Sequence, residues 1–189
     1  MFAGHFGLAA AAAATKKAPL WALMVSTQLL DILFVPLLLG GVERIDSSEG
    51  SGYGEGVIHA DYTHSLIGAL LLAFAAAAFA KRRWGTSGGW LIFGMTFSHW
   101  LLDLLVHRAD MPLLPGHLDG LPLMGFGLWQ SPYASLAAEI LLILAGLILY
   151  GRSAFRRSSV NGTAARAGWS TLAMGVCLIA ALASDWLGV

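Results

Sequence analysis

Five apolar stretches, each close to the length that crosses a lipid bilayer, constrain this chain more than any other feature. A spanning helix needs about 20 mostly apolar residues at 1.5 Å per residue. Residues 19–41, 58–80, 88–107, 132–150 and 167–187 meet or approach that length. A sixth apolar run, FAGHFGLAAAAAA, reaches only about 20 Å and is too short to cross alone. The pattern predicts an all-α fold: a polytopic transmembrane helix bundle with five spans plus a short N-terminal half-span or re-entrant helix. All of residues 1–189 then form a single integral-membrane domain. The first run does not read as a cleavable signal, because Lys16 and Lys17 follow it rather than precede it.

Composition supports the same class. Charged residues make up 12% of the chain, about half the usual share of about 25% in soluble domains. The 11 Lys and Arg balance the 11 Asp and Glu, so no net positive charge draws in a nucleic acid. The one cysteine, Cys177, lies in an apolar run and reads as a small buried hydrophobe. Nine of the 11 basic residues fall in alternate connections: Lys16 and Lys17, Lys81 to Arg83, and Arg152, Arg156, Arg157 and Arg166. Short cytoplasmic loops carry such an excess, which places those connections inside. The opposite loops hold Glu43, Asp46, Glu49, Glu55, Asp110 and Asp119, with only Arg44 and Arg108 for basic company.

Ionisable side chains within the bilayer cost about 2.5 to 3.5 kcal/mol each at a helix centre, so each asks for a partner or a task. Counted from the basic side at 1.5 Å per residue, His5, Asp31, His64, His99, Asp103 and Glu139 fall between about 16 and 25 Å deep. The stretch FSHWLLDLLVH sets His99, Asp103 and His107 on one helix face. Histidine and carboxylate one turn apart suit Zn²⁺, Mn²⁺ or Fe²⁺, and equally a plain His–Asp hydrogen bond. Gln28 and Asp31 make one polar stripe on the first stretch, and Glu139 is the only charge of the fourth. His59, Asp61, His107, His117, Asp119 and Asp185 read as boundary or loop residues in contact with water.

The motifs FAGHFG, TQLLDILF, THSLIGALL, SHWLLDLLVHRADMPLLPG and GLWQSPYASLAAEILL cover most of the chain. Together they resemble the family of bacterial and archaeal inner-membrane metal-dependent hydrolases. That resemblance implies a multi-pass protein of the inner (cytoplasmic) membrane with His5, Asp31, His64, His99 and Asp103 as metal ligands. The expected function is a membrane-embedded hydrolase using a divalent Zn, Mn or Fe ion, with Glu139 as general base. Its expected substrate is an ester or phosphoester of a lipid or other amphiphile. The same polar layer also fits a small transporter or proton relay, or a structural or assembly subunit.

Overall fold

The alanine- and glycine-rich run at the start of the chain becomes the centre of the molecule. The computed structural model describes residues 2–46, 56–116, 121–161 and 163–187. Alanine is the strongest helix former, and Phe2–Ala12 form helix α1, followed by a 3₁₀ turn at Ala13–Thr15. Its small residues let other helices approach closely. Ala3, Gly4, His5, Gly7, Ala9, Ala10 and Ala12 are all buried. A Cβ on Gly146 would collide with the Gly7 carbonyl oxygen, and one on Gly7 would stand 2.7 Å from the Leu142 carbonyl oxygen. Only glycine at both positions permits this backbone contact between α1 and the later helix α5.

Most of the later helices pack against α1. Helices α2 (Leu20–Thr27) and α3 (Leu29–Leu39) lead to a two-stranded antiparallel ribbon, β1 (Arg44–Asp46) with β2 (Val57–His59), in the register Ile45 opposite Ile58. Helix α4 (Leu66–Val106) follows, then a second 3₁₀ turn (Leu128–Gln130), α5 (Pro132–Asn161) and α6 (Ala164–Leu187). Ala3, Ala10, Ile143, Met174 and Leu178 form the core between α1, α5 and α6. Ala9, Leu23, Ala80 and Ile92 form another between α1, α2 and α4.

The structure corrects the expectation of five spans and a half-span. Among the described residues two helices are long and apolar enough to cross a membrane, Pro132–Ser159 and Ala164–Leu187. The pair Leu20–Thr27 and Leu29–Leu39 makes a third only if counted as one span across its 49° bend. That bend lies at Gln28, whose backbone (φ −111°, ψ 8°) leaves the helical region. The stretches 58–80 and 88–107 are not two helices joined by a basic loop. Residues 57–59 are strand and 61–65 are turns and bends. Leu66–Val106 is one element bent at Trp84 and Gly85, where Gly85 adopts φ 71°. Lys81, Arg82 and Arg83 stay helical, so the apolar part of the first arm, residues 66–80, reaches only about 22 Å. The second arm carries Thr96, Ser98, His99 and Asp103, which dilute its apolar character. α1 is a short buried core helix, and the β-ribbon departs from the all-α expectation.

Helices α5 and α6 turn Leu141, Leu144 and Ile148, and Leu172, Val176 and Ile179, outward. Contiguous apolar surface of this kind is stable against lipid or protein rather than water. Cys177, expected to be buried, is exposed on α6.

Candidate metal centre

Local irregularities in the chain bring the polar residues together. The break at Gln28 ends α2 at Thr27, whose carbonyl lacks the partner that a continuing helix would give. That oxygen accepts the Nδ1–H of His99 at 2.6 Å. At the start of α4, Ser65 Oγ accepts the Gly68 N–H at 3.0 Å, an N-cap that ends the preceding turn. His64 is therefore held just outside the helix, and buried Trp100 donates its Nε1–H to the His64 carbonyl at 2.9 Å. α1 brings His5 into the same place from the other side.

Five of the six expected residues of the polar layer converge. Asp31 Oδ1 lies 3.3 Å from His64 Nε2 and 3.4 Å from His99 Nε2, and the two Nε2 atoms are 3.3 Å apart. Asp103 Oδ2 is 3.0 Å from His99 Nε2 and 3.6 Å from His64 Nε2. Asp103 Oδ1 is 3.2 Å from His5 Nε2, and the His5 ring stacks on His99 with centroids 4.0 Å apart. Two overlapping triads result, His5–His99–Asp103 and Asp31–His64–His99, and this buried cluster could hold a metal ion. A cavity of about 190 Å³ opens beside it, lined by Asp31, His64, Asp103, Phe34, Trp129 and Asp185 among others.

The hydrogen-bond partners fix which nitrogens carry protons. A carbonyl only accepts, so His99 Nδ1 carries a proton; in the neutral ring Nε2 holds a lone pair, and in the charged ring it holds a second proton shared with Asp103 at 3.0 Å. His64 is set by a longer chain. The Glu43 carboxylate accepts the N–H groups of Tyr62 at 2.9 Å and Thr63 at 2.8 Å, and the Thr63 hydroxyl at 3.1 Å. With its hydrogen committed to Glu43, Thr63 Oγ1 accepts from His64 Nδ1 at 2.9 Å. In its neutral ring His64 Nε2 holds a lone pair as well. With both rings neutral, two nitrogen lone pairs and two carboxylates face one another at 3.0 to 3.6 Å. Such an arrangement needs a positive charge at its centre, either a metal ion or a proton on one imidazole.

Glu139 does not join them. Its Oε2 accepts the Gly4 N–H at 3.0 Å, its carboxyl meets that of Asp185, and it is not among the residues lining the cavity. Asp185, which reads as a boundary charge in the sequence, does line the cavity. His107 is buried, with Nδ1 2.9 Å from Asp110 Oδ1 and its ring against Trp129 at 4.3 Å. His59 pairs with Asp46 across the β-ribbon at 2.9 Å. Glu49, Glu55, His117 and Asp119 lie outside the described residues. Glu43 reads as a loop acid in the sequence, yet it is 1% exposed and belongs to the support of His64. The adjacent Thr63–His64 pair was visible in the sequence, but the partner 20 residues earlier was not. Compared with family models, curated proteins and solved structures, the chain matches none.

Proposed function

We propose that this chain is a membrane-embedded, metal-dependent hydrolase whose ion is held by Asp31, His64 and His99. The observation that carries the reading is the convergence of Asp31 Oδ1, His64 Nε2 and His99 Nε2 at 3.3, 3.3 and 3.4 Å. Bonds of about 2.0 to 2.1 Å to a tetrahedral ion separate its ligands by about 3.3 to 3.4 Å, which is the spacing of Zn²⁺ sites. An octahedral ion at the same bond length sets neighbouring ligands nearer to about 3.0 Å, so zinc fits the triangle best. Bound there, the ion supplies Lewis acidity and a water that loses its proton near neutral pH.

The chain's own residues divide the remaining work. Asp103 lines the cavity with one oxygen beside the triad and the other held by His5, so it is the carboxylate placed to accept a proton. His5 orients it through the 3.2 Å contact. Glu139, the base expected from the sequence, instead ties α1 to α5 through Gly4. A cavity of about 190 Å³ is smaller than the about 300 to 1,000 Å³ of sites that enclose a whole drug-sized ligand. It admits the reactive end of an amphiphile, an ester or phosphoester, while the apolar remainder stays in lipid.

Elemental analysis of the purified full chain tests it. The expected result is about one zinc per chain, reduced by His99→Ala, with hydrolysis of a p-nitrophenyl acyl ester or of bis-p-nitrophenyl phosphate lost in parallel. Well-folded protein that stays metal-free after incubation with Zn²⁺, Mn²⁺ or Fe²⁺ would overturn it. A proton on one histidine would then be the charge at the centre of the cluster.

A further inference from the structure

The other end of α1 carries a second, unrelated feature. Lys16 lies 11 residues beyond His5, about 16 Å away along a helical path. It adopts φ 59° where the 3₁₀ turn closes. Beside it is a cavity of about 580 Å³ whose lining includes Lys16, Arg152, Arg156 and Arg157 and no acidic residue. Arg157 donates to Ser153 Oγ at 2.5 Å. Among the described residues none of the four cations has an acidic partner. Four uncompensated positive charges around one cavity repel one another, and an anion within it relieves that repulsion.

The basic cavity does not end blindly. A second cavity shares Lys16 and Arg157 with it and adds Pro19, Leu20, Trp84 and Tyr150. Leu20 and Tyr150 then belong to an apolar groove of about 520 Å³, continued by Phe6, Met24, Met174 and Leu178. Its lining on α6 runs from Ser170 to Ala181, about 16 Å at 1.5 Å per residue. That length is half of a hydrocarbon core about 30 Å thick, the depth of one leaflet. Tyr150 and Trp84 stand at the join, where amphipathic rings meet the headgroup level.

We propose that this track is a binding site for an anionic phospholipid. The phosphate sits among Lys16, Arg152, Arg156 and Arg157, and one acyl chain lies in the groove between α2 and α6. Arginine recognises phosphate oxygens by paired N–H donors, and basic pockets between helices at the cytoplasmic side are suited to anionic headgroups. The site is separate from the His–Asp cluster and does not depend on what that cluster binds.

Native mass spectrometry and thermal unfolding of the full chain in neutral detergent test the proposal, with dioleoyl phosphatidylglycerol, dioleoyl phosphatidylcholine and inorganic phosphate as probes. Phosphatidylglycerol is expected to remain bound one to one and to raise the unfolding temperature, and the other two probes are not. Arg152 and Arg156 are exposed, so Arg152→Gln with Arg156→Gln should leave the fold intact. At about fivefold per charge, that double variant should weaken phosphatidylglycerol binding about 30-fold. Ala173→Trp, at an exposed position of the groove lining, should weaken it while leaving the basic cavity untouched. Equal retention of phosphatidylcholine would overturn the assignment of the charge. An equal shift with inorganic phosphate would reassign the cavity to a soluble anion, and unchanged binding in both variants would remove the site.

Discussion

Replacing Thr63 with valine separates the support of His64 from the ligands themselves. The change keeps the branched shape and removes only the oxygen that stands between Glu43 and His64, at 3.1 Å and 2.9 Å respectively. Glu43 keeps two backbone N–H donors, those of Tyr62 and Thr63. His64 Nδ1–H is left without an acceptor, and with Thr63 3% exposed water does not replace it. Stranding that donor should cost the metal-free protein about 1 to 3 kcal/mol. Loss of the group that orients a histidine ligand typically lowers metal affinity 10- to 100-fold, about 1.4 to 2.8 kcal/mol. Competition for Zn²⁺ against a chromophoric chelator measures the affinity, and thermal unfolding of the metal-free protein measures the stability. Thr63→Ser returns the hydroxyl and should recover most of both. If wild type binds zinc and Thr63→Val binds it within twofold, the hydroxyl does not set the His64 tautomer and the reasoning fails.

The contact between Gly7 and Gly146 predicts that Gly146→Ala loses at least about 1 to 3 kcal/mol in unfolding assays. Gly94→Ala should be neutral or gain up to about 1 kcal/mol, since a Cβ there meets nothing within 4 Å; similar losses in the two variants would contradict the close approach. Asp103→Asn should retain zinc and lose hydrolysis, whereas Glu139→Gln, which still accepts from Gly4, should retain both. Abolished hydrolysis in metal-loaded Glu139→Gln would return the role of base to Glu139. Zinc at 100 times its dissociation constant should stabilise the protein by about 2.7 kcal/mol, an increment removed by chelator and absent in His99→Ala. Finally, in a Cys177→Ser background, an impermeant thiol reagent should reach Tyr133→Cys from outside the cell and Ser159→Cys only after permeabilisation, because these residues stand at opposite ends of α5. Labelling of both from the same side would exclude α5 as a span.

Much of the cluster was legible because the bilayer penalty makes ionisable residues in apolar runs conspicuous. His99 and Asp103 were fixed by helical spacing alone, and a rise of 1.5 Å per residue brought His5, Asp31 and His64 to a similar depth. The same arithmetic included Glu139, since depth along a helix carries no information about which way a side chain faces. The span count failed for a related reason. Hydropathy shows how much apolar sequence is present but not whether the backbone continues through it. Hydropathy records neither the break at Gln28 nor the helical continuation through Lys81 to Arg83, whose residues are polar but good helix formers. Glu43 was hidden because its job is defined by Thr63 across the β-ribbon connection, a partner that no local spacing announces.

The position of α1 also bears on the order in which the molecule is completed. Its N-terminal turn is fastened by Glu139, which lies 135 residues later in the chain than Gly4. Its glycine contact is with the same late helix. α2 and α4, which come earlier in the chain, supply one of the surfaces that receive α1, and α5 with α6 supplies the other. Asp31, His64, His99 and Asp103 all precede α5 in the sequence, and the seat of the α1 turn that carries His5 is completed by α5. A helix that brings no residue to the cluster thus completes the seat of the helix that brings His5.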